Sequence, residues 1–242
     1  MIHKKQFTRP LLCVAALACG RMFAQNHLAA APVAELRLGI VSAQPGKHHA
    51  MPAVIWLTPI HGTPVVPFPQ QGHYTLLQKN RTFIPHLLVV PVGSAVQFPN
   101  ADPFFHNVFS QFDGKRFDLG LYEAGSSKTV TFTREGVSYI FCNIHPEMSA
   151  VVLSLATSLY AVADATDTFE LRNIPPGDYN LHLWIEGVPQ PILESLNRPI
   201  HLSSGRLDLG VVSVPKMPAE NADHMNKFGK PYDSDSKSPY ER

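Results

Sequence analysis

Residues 136–155 read Gly136-Val-Ser-Tyr-Ile-Phe-Cys-Asn-Ile-His-Pro-Glu-Met-Ser-Ala-Val-Val-Leu-Ser-Leu155, two β-rich runs on either side of the tight Cys142–Met148 loop. Strand signals continue outward in both directions. Upstream lie TFIPHLLVV (82–90), the turn PVGS, AVQFPN (95–100), HNVFS (106–110), a polar stretch, SKTVTFT (127–133) and the turn REG. Within that series Val130 and Phe132 alternate with Thr129, Thr131 and Thr133, the period-2 pattern of a sheet with one buried face. Residues 79–157 therefore predict an all-β sandwich or barrel.

The flanks predict further strands. AELRLGIVS and AVIWLTP flank the turn-like QPGKHHAMP and are expected to form a hairpin over 34–59. Downstream, residues 158–187 carry three more strands, with PPGD as a turn, and RLDLGVVSV is expected to be the last strand. The 22 prolines and 15 glycines suit many short strands joined by turns. From Lys216 onward the chain is polar and rich in Asp, Ser, Lys and Pro, the composition expected of a disordered tail over 216–242. No internal repeat is present.

The first 24 residues bear on the compartment. Lys4, Lys5 and Arg9 precede a short apolar run from Leu11 to Ala18, and Ala24 is a plausible cleavage point, as a secretory signal requires. The run is too short to span a bilayer, and no later run is long enough to do so. Export to the periplasm or beyond is the expectation, with a lipid anchor through Cys19 as the weaker alternative. Cleavage would remove Cys13 and Cys19 and leave Cys142 as the single thiol, and an unpaired cysteine in an oxidising compartment calls for burial, reactivity or a metal. It would also remove Lys4, Lys5, Arg9 and Arg21, so 20 − 4 = 16 basic residues would face 19 acidic ones, a balance of −3. No basic patch points to nucleic acid.

The Cys142–Met148 loop carries the chemistry. One thiolate, two imidazoles and a weak thioether make a type-1 copper site. Cys142, His145 and Met148 can supply three of these from one loop, because gaps of two residues let successive side chains turn toward one point, and His106 at the start of HNVFS can supply the fourth. Each residue alone has a plainer reading: an inert buried thiol, core filler, a hydrogen-bonded structural histidine. The combination is far more specific. Zinc, the main rival, has no use for a thioether, and Glu147 beside Met148 is expected to face solvent. A binuclear copper site needs a second cysteine, and a multicopper oxidase needs paired His-x-His motifs; both are missing from the mature sequence. Neither oxidase chemistry nor a hydrolytic nucleophile elbow is indicated, so the protein is not expected to be an enzyme. His48 and His49, with Met51, read first as a solvated loop rather than a copper-loading patch. His61, His73, His86, His182 and His201 show no metal-ligand spacing.

The stretches VGSAVQFPNADPFFHNVFS and GVSYIFCNIHPEMSAVVLSL resemble the plastocyanin/amicyanin branch of the cupredoxins, and the short C-x2-H-P-x-M loop is most similar to that of amicyanin, a protein of methylamine utilisation. The resemblance covers residues 79–157. It implies a Greek-key cupredoxin sandwich with one type-1 copper ion held by His106, Cys142, His145 and, axially, Met148. It implies that Asn107 ties the ligand-bearing loops together by hydrogen bonding, that the edge of His145 reaches the surface, and that Phe104, Phe105 and Pro146 form an apolar rim for a redox partner. Phe104 and Phe105 read equally well as core. TFELRNIPPGDYNLHLWI (168–185) resembles the carboxypeptidase regulatory-like (transthyretin-like) domain, and residues 34–59 look like its opening hairpin.

The expected organisation is thus a signal peptide (1–24), the first part of a β-sandwich (33–78), the copper domain (79–157), the second part of the sandwich (158–215) and the tail (216–242). The expected function is single-electron transfer, in a monomer, between redox proteins such as a dehydrogenase and a cytochrome. The alternative is a copper-binding module without redox work, for delivery, storage or scaffold binding.

Overall fold

The computed structural model of the protein describes residues 33–43, 50–66, 68, 72–111, 114–215 and 225–232. The signal peptide expectation, with Cys13 and Cys19, and the His48–His49 patch lie outside the described residues. The strands in the first half are β1 (Ala34–Ser42), β2 (Ala53–Pro59), β3 (Tyr74–Thr75), β4 (Leu77–Lys79), β5 (Thr82–Ile84), β6 (Leu87–Pro91), β7 (Ser94–Pro99), β8 (His106–Ser110) and β9 (Phe117–Tyr122). They are followed by β10 (Ser127–Phe132), β11 (Gly136–Phe141), β12 (Ser149–Leu155), β13 (Tyr160–Val162), β14 (Thr168–Ile174), β15 (Gly177–Ile185), the helix α1 (Gln190–Leu196), β16 (Arg198–Leu202) and β17 (Gly205–Val214). Among the described residues the protein is all-β apart from that one short helix.

Two sandwiches share a wall. In the first, the sheet β10-β7-β3 faces the sheet β6-β12-β11-β8-β9 across a core that includes Val96, Phe98, Val130, Phe132, Ile140 and Val152. The alternation in β10 and β7 is what builds this core: Val130 and Phe132, like Val96 and Phe98, point in, while Thr129, Thr131, Ala95 and Gln97 point out. In the second, the sheets β14-β1-β17 and β13-β2-β15-β16 enclose Leu36, Leu38, Ile55, Leu57, Phe169, Tyr179 and Leu181. Strand β12 belongs to both cores: Ala150 and Val152 face the first, and Val151, Leu153 and Leu155 face the second. A strand covered on both faces has no place for an outward polar residue, hence the nearly unbroken apolar run SAVVLSL.

Several details depart from the sequence expectations. Strands β1 and β2 do not form a hairpin: β1 pairs antiparallel with β14 and parallel with β17, and β2 pairs with β13 and β15. The two strands lie on opposite walls of one core, since both carry apolar residues that must be covered. The expected strand TFIPHLLVV breaks into β5 and β6 around Pro85, which has no N–H to give a sheet ladder. The first sandwich also begins earlier than Lys79, because β3 pairs with β7 and Leu76 is buried in its core. Strand β9 and helix α1 carry no signal read from the sequence. The disordered tail does not hold for 225–232, which is hydrogen-bonded to the first sandwich as described below.

Candidate metal centre

His106 opens β8, and Cys142 follows the last residue of β11, so neighbouring strands of one sheet deliver the two side chains to the same end. The Cys142–Met148 loop then folds back on itself: the Cys142 amide donates to the Met148 carbonyl (3.3 Å) and the Met148 amide to the His145 carbonyl (3.1 Å). This closure brings His145 beside the other two. The His106 and His145 Nδ1 atoms are 3.1 Å apart, and the Cys142 sulfur is 3.8 Å from the first and 3.5 Å from the second. Bonds of about 2.0–2.1 Å from imidazole nitrogen and about 2.3 Å from thiolate to a metal ion give donor-to-donor edges of roughly 3.3–3.8 Å. The two sulfur–nitrogen edges, 3.5 and 3.8 Å, fall in that range and the nitrogen–nitrogen edge, 3.1 Å, is slightly shorter; the three form a group of buried side chains that could hold a metal ion. Met148 sits on the same loop and is fully buried in the first core, whereas Glu147 and Pro146 are exposed. A sulfur, two imidazoles and an adjacent thioether are a donor set that fits copper.

His106 is oriented by a residue that the sequence reading missed. Its Nε2 donates to Asp102 Oδ2 at 2.8 Å, which leaves Nδ1 as the lone pair turned to the cluster. Asp102 is itself held by the Asn80 amide (2.6 Å) and the Arg81 amide (3.0 Å) in the turn between β4 and β5, where both residues adopt left-handed φ of 55°. Asn100 supports the same loop: its Oδ1 accepts from the Asp102 amide (3.0 Å) and its Nδ2 donates to the Phe104 carbonyl (2.8 Å). Burial opposes charge on Asp102, but the Arg81 and Asn80 amides and the His106 ring together hold its carboxyl below the usual carboxylate value. Burial also pushes His106 below the ordinary imidazole value, against the pull of Asp102, a shift toward the neutral ring that metal ligation requires. The signal for Asp102 in the sequence was a carboxylate four residues before a candidate ligand, too common a spacing to be read alone.

Burial raises the Cys142 thiol, while amides of Asn107, Ile144 and His145 that point at the sulfur work in the opposite direction. A metal ion entering the cluster must therefore displace a proton, and the three amides stabilise the thiolate that results. Asn107 thus reaches the ligand loop through its main chain. Its side chain donates instead to Asp118 on β9 (2.7 Å).

Phe104 packs against both imidazoles, with ring centroids 5.2 Å from His106 and 5.5 Å from His145 in edge-on arrangements, and the Arg81 guanidinium lies over its ring, 5.3 Å from the centroid. The expectation that the edge of His145 reaches the surface is corrected accordingly: His145 is only 4% exposed. Of the expected rim, Phe105 and Pro146 are exposed and Phe104 is half-buried. Other histidines have local partners: His86 with Glu186, His182 with Thr58 and the stacked Trp56, His201 with Asp178.

Fold and site together define an all-β protein with a buried His-Cys-His cluster. No protein-family model matches the chain. No curated protein matches it. Among solved structures it is similar to a purple cupredoxin from Nitrosopumilus maritimus, with 26% identity over 34% of this chain and 99% of that one and a TM-score of 0.32. It is also similar to a reduced amicyanin variant, at 23% identity over 35% of this chain and 83% of that one (TM-score 0.32). A copper-containing nitrite reductase from Thermus scotoductus matches at 24% identity over 48% of this chain and 28% of that one (TM-score 0.33). No helix among the described residues is long and apolar enough to cross a membrane.

Proposed function

We propose that His106, Cys142, His145 and Met148 would hold one type-1 copper ion, and that the protein passes single electrons between redox proteins outside the cytoplasm. The observation that carries this reading is the triangle of 3.1, 3.5 and 3.8 Å among two imidazole nitrogens and one cysteine sulfur, buried in an apolar core. Copper bound there would supply one-electron redox chemistry. The chain's own part is to keep the donors in place before and after the electron moves. Asp102 fixes the tautomer and ring angle of His106, three amides stabilise the Cys142 thiolate, and Phe104 excludes water from the two imidazoles. Donors held this firmly need little rearrangement between oxidation states, which favours rapid transfer. Phe105 and Pro146 offer exposed apolar surface near the cluster for a redox partner.

The domain organisation is part of the proposal. The copper domain is inserted in a carboxypeptidase regulatory-like sandwich made by the two flanks, a reading supported by the pairing of β1 with β14 and β17 and of β2 with β13 and β15. The test is reconstitution of the purified protein with Cu(II) and a visible spectrum. An intense thiolate-to-copper band that Cys142→Ala abolishes is expected, followed by electron exchange with a periplasmic cytochrome or dehydrogenase. Absence of the band overturns the copper reading; a band without electron exchange leaves copper binding and overturns the redox role.

A further inference from the structure

Residues 225–232 lie far from the copper-domain region in sequence and bond to the Cys142–Met148 loop, to Gln111 just beyond β8 and to Asp118 on β9. The Tyr232 hydroxyl donates to the carbonyl of Cys142 itself at 2.7 Å. The Lys227 amide donates to Asn143 Oδ1 (2.8 Å), on the residue after Cys142. The Lys227 ammonium reaches Asp118 Oδ2 at 2.7 Å, and the other oxygen of Asp118 accepts from Asn107, the residue after His106. Gln111 Nε2, just beyond β8, donates to the Lys227 carbonyl (2.6 Å). The segment is shaped for these contacts by its own turn: Asn226 Oδ1 accepts from the Phe228 and Lys230 amides (2.9 and 3.1 Å), and Gly229 supplies the left-handed φ of 71° that closes it.

We propose that residues 225–232 are a strap that holds the Cys142–Met148 loop from outside, with Tyr232 and Lys227 as positioning residues for the metal cluster. The strap is fastened by polar contacts rather than by burial, for Met225 is 61% and Phe228 73% exposed. A segment that buries so little apolar surface opens locally far more easily than the core strands beneath it. Its hydrogen bonds therefore set how often the loop loosens, and with it access to the Cys142 sulfur and the angle at which that sulfur meets a metal ion. The proposal rests on the copper reading only for the spectroscopic half of its test.

Two full-length variants separate the possibilities. Tyr232→Phe removes one hydroxyl and keeps the ring; Lys227→Met removes the ammonium and keeps the stem and the amide. In metal-free protein, the rate at which an aromatic disulfide reagent modifies Cys142 is expected to rise roughly 2- to 12-fold in each, the shift in an opening equilibrium from one lost hydrogen bond. After Cu(II) loading, the thiolate-to-copper band is expected to move and the ion to pass faster to a chelator. A thiol rate changed less than twofold in both variants overturns the strap, whatever the spectra show. A wild-type protein with no such band overturns the copper reading alone, and the strap is then judged on the thiol rate.

Discussion

Replacing Asp102 by alanine should unsettle the candidate metal centre without touching a proposed ligand. Asp102 is 5% exposed and accepts three hydrogen bonds, of 2.6 Å from Asn80, 3.0 Å from Arg81 and 2.8 Å from His106. Hydrogen bonds to a charged group are worth about 1.5–3 kcal/mol each, but Asn80 is exposed and Arg81 half-buried, so their amides can turn to water. The fully buried His106 ring cannot. The expected cost in metal-free protein at pH 7 is therefore about 2–4 kcal/mol, carried mainly by the orphaned imidazole N–H and the loosened turn. Asp102→Asn keeps one acceptor and loses the charge, and should cost about half as much. Copper affinity should fall about 10- to 100-fold in both, as it does when the partner of a metal-ligating histidine is removed.

The pH dependence supplies a second check. The folded-state pKa of Asp102 is depressed, so its contribution is fully present above the unfolded value of about 3.9 and is lost as the pH falls through the lower folded value. The difference between wild type and Asp102→Ala, measured by urea unfolding at a series of pH values, should not shrink between pH 7 and about 5 and should narrow below about 4. A difference under about 0.5 kcal/mol at pH 7 would refute the assignment of Asp102 as the residue that orients His106.

Two further outcomes test the frame around the site. Leu153→Ala, on the face of β12 turned to the second sandwich, should destabilise the protein by about 2–5 kcal/mol, as read by thermal or urea unfolding, while the copper spectrum is unchanged; a shifted spectrum would mean that the two faces of β12 are not separate. His86 donates to Glu186 at 2.7 Å and contacts the Ser149 carbonyl, and the Glu186 hydrogen bond raises its pKa despite burial. That pair contributes fully below the unfolded imidazole value of about 6.5 and fades as the pH rises through the raised folded value, so Glu186→Gln should cost stability at pH 5.5 and progressively less toward pH 8. Because the His86 side chain is 42% exposed, the effect at pH 5.5 should not exceed about 1 kcal/mol, and an equal cost at both pH values would show that the charge is not involved.

Much of the site was legible because its information is local. Cys142, His145 and Met148 are spaced on one loop, so the chemistry of a thiolate, an imidazole and a thioether could be read without knowing any long-range contact, and the alternation in KTVTFT marked a strand with one buried face. The class of fold followed from the same short-range periodicity. The contacts across the fold were not legible in this way. Which strand lies beside β1 depends on how two apolar faces cover each other, and a hairpin and two opposed walls begin with the same pair of strands. Asp102 and Tyr232 are ordinary polar residues in sequence, and each takes its meaning from one hydrogen bond: to His106 across a four-residue loop, and to the Cys142 carbonyl across 90 positions. The sequence by itself determined which side chains could bind a metal, because that is a property of residue type and spacing. Only the tertiary structure decided how they are held, because a hydrogen bond between distant segments exists only once the chain has closed around its two cores.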